Sequence, residues 1–134
     1  MDLADRHVLF IDQDAESRRN TRFLLQLSHQ QVTSFGYFDE ALNWMTCLAH
    51  QTLRIDLVIV RNIRDFDAFL DFILLLESSS PGIRVLIIAA QQKGLSRMKE
   101  RILRHLQLKI TWCSQDEFHH RITSTAFDLK ERTL

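Results

Sequence analysis

Short apolar runs alternate along the chain with longer stretches of helical periodicity. HVLFI (7–11) reads as a strand, and AESRRNTRFLLQLSH (15–29) as a helix with Phe23, Leu24 and Leu27 on one side and arginines on the other. Asp14 stands where an N-cap belongs. QVTSF (31–35) is a weaker strand, Gly36 marks a turn, and DEALNWMTCLAHQ (39–51) is a helix with Ala41, Leu42, Met45 and Leu48 on one stripe. IDLVIV (55–60) is the third strand. DAFLDFILLLESS (67–79) is a helix by its length, apolar nearly all round. The turn SPG (80–82) leads into a fourth strand, RVLIIAA (84–90). A basic amphipathic helix (95–107), a fifth strand KITWC (109–113) and a closing helix (116–132) complete the pattern.

The pattern is a β-α unit repeated five times. Strands that are unbroken apolar runs are buried on both faces, which implies a parallel sheet. Right-handed crossovers then place helices on both sides, giving a doubly wound α/β three-layer sandwich. Ligands in such folds sit at the carboxyl ends of the strands. The residues to inspect are therefore Asp12–Asp14, Arg61–Asn62, Ala89–Ala90 and Cys113–Ser114.

Composition narrows the function classes. The 134 residues suit one domain, and 17 basic against 17 acidic side chains leave no net charge. That balance argues against general nucleic-acid or anionic-membrane binding, which needs a basic excess or stripe. Cys47 and Cys113 lie far apart, and no apolar run approaches the ~18 residues of a membrane span. The chain reads as cytoplasmic with reduced thiols. It carries no glycine-rich phosphate loop, no G-x-S-x-G and no H-E-x-x-H, so enzymatic activity is not expected and no cofactor is implied.

VLFIDQDAESRRNTRFLLQL, with its apolar strand, acidic cluster and arginine-bearing helix, resembles the opening of response-regulator receiver domains. VTSFGYFDEALNWM is similar to that family's second strand and helix, DLVIV to its third strand and RVLIIAA to its fourth. The resemblance rests on the register of all five units and spans nearly the whole chain. It implies a flavodoxin-like (βα)5 fold with a five-stranded parallel sheet in the order 2-1-3-4-5. Residues 1–134 are then a single receiver-like domain, and Lys130–Leu134 can open a linker to an output domain of a longer regulator.

The chain departs from the family where the family's chemistry lies. The acidic pair that holds Mg²⁺ falls on Asp12 and Gln13, with Asp14 beside them, and the phosphoacceptor aspartate falls on Arg61. The threonine or serine after the fourth strand falls on Ala89, the lysine and its following proline on Cys113 and Ser114, and the switch aromatic on Ile110, with Trp112 two residues later. Mg²⁺ takes hard oxygen ligands. A guanidinium ~4 Å away repels it by several kcal/mol even at an effective dielectric near 20. Arginine stays protonated and accepts no phosphoryl group. The expectation is a phosphorylation-independent pseudo-receiver, with Arg61 paired to Asp12 and a further bond to Asp14 in reach.

Two further readings remain open. The strand-end pocket can serve an anion or nucleotide sensor, with Arg61 and Asn62 as its polar groups, or a displaced acceptor, Asp65 or Asp67, can take the phosphoryl group. His119 and His120 are adjacent and diverge on a helix, so they do not chelate one ion together. Cys113 reads as a buried small hydrophobe. Two surfaces suggest a protein partner or a second copy of the chain. The helix 67–79 carries more apolar side chains than one face of a sandwich uses. The segment 93–109 is basic, and in receivers the fourth helix, fifth strand and fifth helix form the usual output and dimer face. The candidate interaction face is therefore Arg97, Arg101, Arg104, Ile110 and Trp112.

Overall fold

The computed structural model describes residues 7–27, 31–48, 55–79, 82–88 and 109–123. The order along the chain is β1 (His7–Asp12), α1 (Ala15–Leu27), β2 (Gln31–Phe35), α2 (Phe38–Leu48), β3 (Leu57–Arg61), α3 (Phe66–Ser79), β4 (Arg84–Ile88), β5 (Lys109–Cys113) and, last among the described helices, α4 (Gln115–Thr123). All strand pairings are parallel, and the sheet order is β2-β1-β3-β4-β5.

The apolar runs produce this arrangement because alternate side chains of each inner strand feed two different cores. Leu9, Ile11, Val58, Val60, Val85 and Ile87 meet Phe38 and Ala41 of α2 and Phe69, Phe72, Ile73 and Leu76 of α3. Val8, Phe10, Leu57, Ile59, Leu86 and Ile88 meet Leu25 of α1 and Phe118 of α4. Phe38 wedges between Phe69 and Phe72 at ring separations of 5.6 and 5.5 Å. Burying each such ring contributes roughly 2–3 kcal/mol. The edge strands β2 and β5 keep partly exposed residues, whereas β1 is buried throughout. QVTSF is weak as an apolar run because, at the margin of the sheet, its side chains are only partly covered.

The structure corrects several expectations. β3 starts two residues later than the apolar run and extends through Arg61, which pairs with Asp12 of β1 and Ile88 of β4. Arg61 is thus the last strand residue rather than the first loop residue. Helix α1 turns Thr21 and Leu25 inward, while Phe23 and Leu27 are 60% and 61% exposed. Of Phe23, Leu24 and Leu27, only Leu24 packs against the core. Ser17 and Arg18 bind the end of β1 instead, and those bonds set the helix's rotation. Helices α2 and α3 each begin one residue earlier than their periodicity predicts, and α4 begins at Gln115. The fourth strand is described as far as Ile88. Ala89, the basic helix 95–107 with Arg97, Arg101 and Arg104, and the end of the closing helix lie outside the described residues.

Candidate functional site at the strand ends

Asp12 ends β1 as a fully buried carboxylate. A buried charge is tolerated when donors surround it, and the chain supplies them locally. Oδ1 accepts the Asp14 backbone N–H at 2.9 Å and Asn62 Nδ2 at 2.9 Å, and Oδ2 accepts the Ser17 hydroxyl at 2.6 Å. Arg18 donates to the Asp12 carbonyl at 2.6 Å. Its guanidinium lies so close over Gly36 that a Cβ there would meet Arg18 Nη1 at 2.7 Å. Gly36 is needed for that approach, beyond marking the turn.

Asp14 caps α1, accepting the backbone N–H groups of Glu16 and Ser17 at 3.1 and 3.3 Å. The cap expected from the sequence is present, and this carboxylate is committed to the helix terminus. Gln13 is half-buried, and its Oε1 is enclosed without a hydrogen-bond partner among the described residues.

Arg61 shares a sheet face with Asp12, yet the expected ion pair is not formed. Nη1 donates to Thr21 Oγ1 at 3.2 Å and Nη2 to Gln115 Oε1 at 3.4 Å, while Nε is buried without a partner among the described residues. The guanidinium spans from α1 to the start of α4, across the mouth of the sheet. The geometric reason is Asn62. Its φ of +56° puts it in the left-handed region, which asparagine enters more readily than most residues. That turn folds its amide back onto Asp12 and occupies the oxygen an arginine would take.

Cys113 at the end of β5 is 5% exposed, as a small hydrophobe would be, and its Sγ contacts the Ser114 carbonyl at 3.3 Å. Ile110 and Trp112 are partly buried against the α2/α3 core, so only part of each is open to a partner. Asp65 caps α3 through the Ala68 N–H at 3.2 Å, and both Asp65 and Asp67 are exposed. His119 and His120 are exposed on α4. The sequence indicated Asp12, Asp14 and Arg61 but gave Ser17, Arg18, Thr21 and Gln115 no role at the site. A serine three residues after a capping aspartate and an asparagine just past a strand were the available signals.

Solved receiver-domain structures share this arrangement of strands and helices. A response-regulator receiver domain of Clostridium thermocellum superposes with a TM-score of 0.65 over 96% of this chain and 99% of its own, at 17% identity. A CheY-like receiver domain protein of Methanospirillum hungatei gives 0.66 over 96% and 98%, at 12% identity. The chain has the receiver-domain fold. A Burkholderia pseudomallei protein described as pilus assembly-related shares that receiver-like arrangement, with a TM-score of 0.68 over 98% of this chain and 91% of its own at 14% identity. No protein-family model matches the sequence, and no curated protein matches it. Among the described residues, no helix of this receiver fold is long and apolar enough to cross a membrane.

Proposed function

We propose that this receiver fold is a phosphorylation-independent pseudo-receiver domain of a bacterial signalling or transcriptional regulator. It acts in the cytoplasm through protein–protein contact, including self-association, without binding nucleic acid itself. The observation that carries the reading is the end of β3, where Arg61 closes the strand ends beside Asp12. The residues present do not fit Mg²⁺: both Asp12 oxygens are taken by the chain's own donors, Asp14 is occupied with its helix, and a guanidinium sits on the same face. Arg61 is no phosphoryl acceptor, because guanidinium keeps its proton.

Incubation with acetyl phosphate and Mg²⁺, and separately with beryllofluoride, tests the reading by intact mass and amide NMR. The expected result is an unchanged mass and unchanged spectra. A stoichiometric aspartyl adduct, at Asp12, Asp65 or Asp67, overturns it.

A second reading has one specific observation in its favour. Arg61 Nε and Gln13 Oε1 are a buried donor and a buried acceptor at the same end of the sheet, neither with a partner among the described residues. Such groups suit a small polar ligand. A thermal-shift screen of anions and nucleotides distinguishes a sensor from a contact-only domain.

A further inference from the structure

The exposed faces of α1 and α3 carry complementary stripes. On α1 the solvent side runs Arg19, Phe23, Leu27, with Arg22 on its flank, and Phe23 and Leu27 are 60% and 61% exposed. On α3 it runs Asp67, Asp71, Leu74, Leu75, and the two leucines are 48% and 39% exposed. Each stripe is charged toward its N-terminus and apolar toward its C-terminus, and the charges are opposite. At ~1.5 Å rise per residue, Arg19 and Asp71 lie ~6 and ~7.5 Å from their helix starts, and Phe23 and Leu74 both lie ~12 Å along.

In a parallel doubly wound sheet every helix runs against the strands, so α1 and α3 point the same way on opposite faces. A second copy related by translation therefore presents its α3 parallel to the first copy's α1, with basic against acidic and apolar against apolar. We propose that α1 of one molecule docks on α3 of the next, a head-to-tail contact between copies of this chain. It goes beyond the contact-only reading by naming the two faces, and it does not depend on the absence of phosphorylation.

The match has one flaw and one limit. Glu16 comes opposite Asp67, a like pair, and Arg64 is exposed just before α3. A single helix pair falls short of the ~800 Å² per partner of a stable complex, so the contact is weak and populated at high concentration. Because the two surfaces differ, the contact is heterologous and repeats into open chains unless the geometry closes a ring.

Sedimentation velocity on the whole chain from micromolar to millimolar concentration tests this, with far-UV circular dichroism confirming that each variant is folded. The wild type should show a concentration-dependent rise in sedimentation coefficient. Arg19→Asp and Asp71→Arg should each abolish it. Their equimolar mixture should restore it, since every contact then joins a basic to an acidic helix, and Phe23→Ser should weaken it. Failure of the mixture to recover, an Asp71→Arg variant that assembles like wild type, or a wild type monomeric at millimolar concentration overturns the proposal. The phosphorylation test reads mass and is unaffected by any of these outcomes.

Discussion

Asn62 is the most informative single position for stability, because two separable effects meet there. Its amide donates to the buried Asp12 carboxylate at 2.9 Å, and its backbone sits at φ +56°. A hydrogen bond to a charged group contributes about 1.5–3 kcal/mol. Asn62→Gly removes the bond and leaves a residue comfortable at positive φ, for a loss of about 2 kcal/mol. Asn62→Ala removes the same bond and keeps a β-carbon at positive φ without asparagine's tolerance of that region, so it should fall about 1 kcal/mol below the glycine variant. Asn62→Asp places a second carboxylate against Asp12 and should be the least stable near neutral pH, recovering part of the loss once acid protonates the new group. Urea unfolding followed by the fluorescence of Trp44 and Trp112 reads the series. At a slope of about 1–2 kcal/mol per molar urea, a 2 kcal/mol loss moves the midpoint by ~1–2 M. The reasoning is refuted if glycine and alanine variants have equal midpoints, or if both stay within ~0.5 kcal/mol of wild type, the spread of ordinary surface substitutions.

Arg61→Asp sets a new carboxylate one ladder step from Asp12. It should melt lower than wild type and regain stability in millimolar Mg²⁺, which leaves the wild type's melting unchanged; equal Mg²⁺ shifts in both proteins refute the blocked-site reading. Gly36→Ala displaces the flexible end of Arg18 rather than backbone, so its loss should stay near 1 kcal/mol, about the value of one hydrogen bond. A much larger loss, measured by the same urea titration, would mean that the loop itself cannot move. Burial lowers the pKa of His7 below its ordinary 6.5, with Asp56 opposing. The unfolded chain therefore takes up the proton first as pH falls, so stability present above pH 6.5 declines on acidification toward the folded-state value. His7→Phe should flatten the difference between pH 7.5 and 5.5; an unchanged slope assigns the effect elsewhere.

The parallel sheet was legible because the inner strands are buried on both faces, which writes them as unbroken apolar runs; its order was legible only through the resemblance to receiver domains. The rotation of α1 was not legible. A helical wheel weighs hydrophobicity alone, and it grouped Phe23, Leu24 and Leu27 on one side, of which only Leu24 packs against the core. The helix instead faces the sheet with Thr21 and Leu25, because Ser17 and Arg18 must reach the end of β1. Hydrogen-bond demand at the strand ends outweighed the apolar stripe, and no periodicity records such demand. The strand-end site was legible as a set of positions: Asp12 and Arg61 do lie side by side. Their partners were not, since these depend on the path of one residue, Asn62, through the left-handed region.

That failure changes how the site is understood. A resident cation bound to Asp12 would make Arg61 the keystone, and its removal would leave a bare buried charge. Instead Asp12 is satisfied by Asn62, Ser17 and a backbone N–H, all neutral groups, and the guanidinium is held by two long hydrogen bonds to a hydroxyl and an amide. The carboxylate and the guanidinium thus belong to separate networks. Mutating Arg61 should disturb the junction of α1 with α4 and leave the Asp12 cluster intact, while mutating Asn62 should do the reverse. The two residues are chain neighbours but share no hydrogen-bond partner, so the double variant Arg61→Met/Asn62→Gly should lose the sum of the single losses to within ~0.5 kcal/mol. A coupling well above that would restore the ion pair as the organising contact of the strand ends.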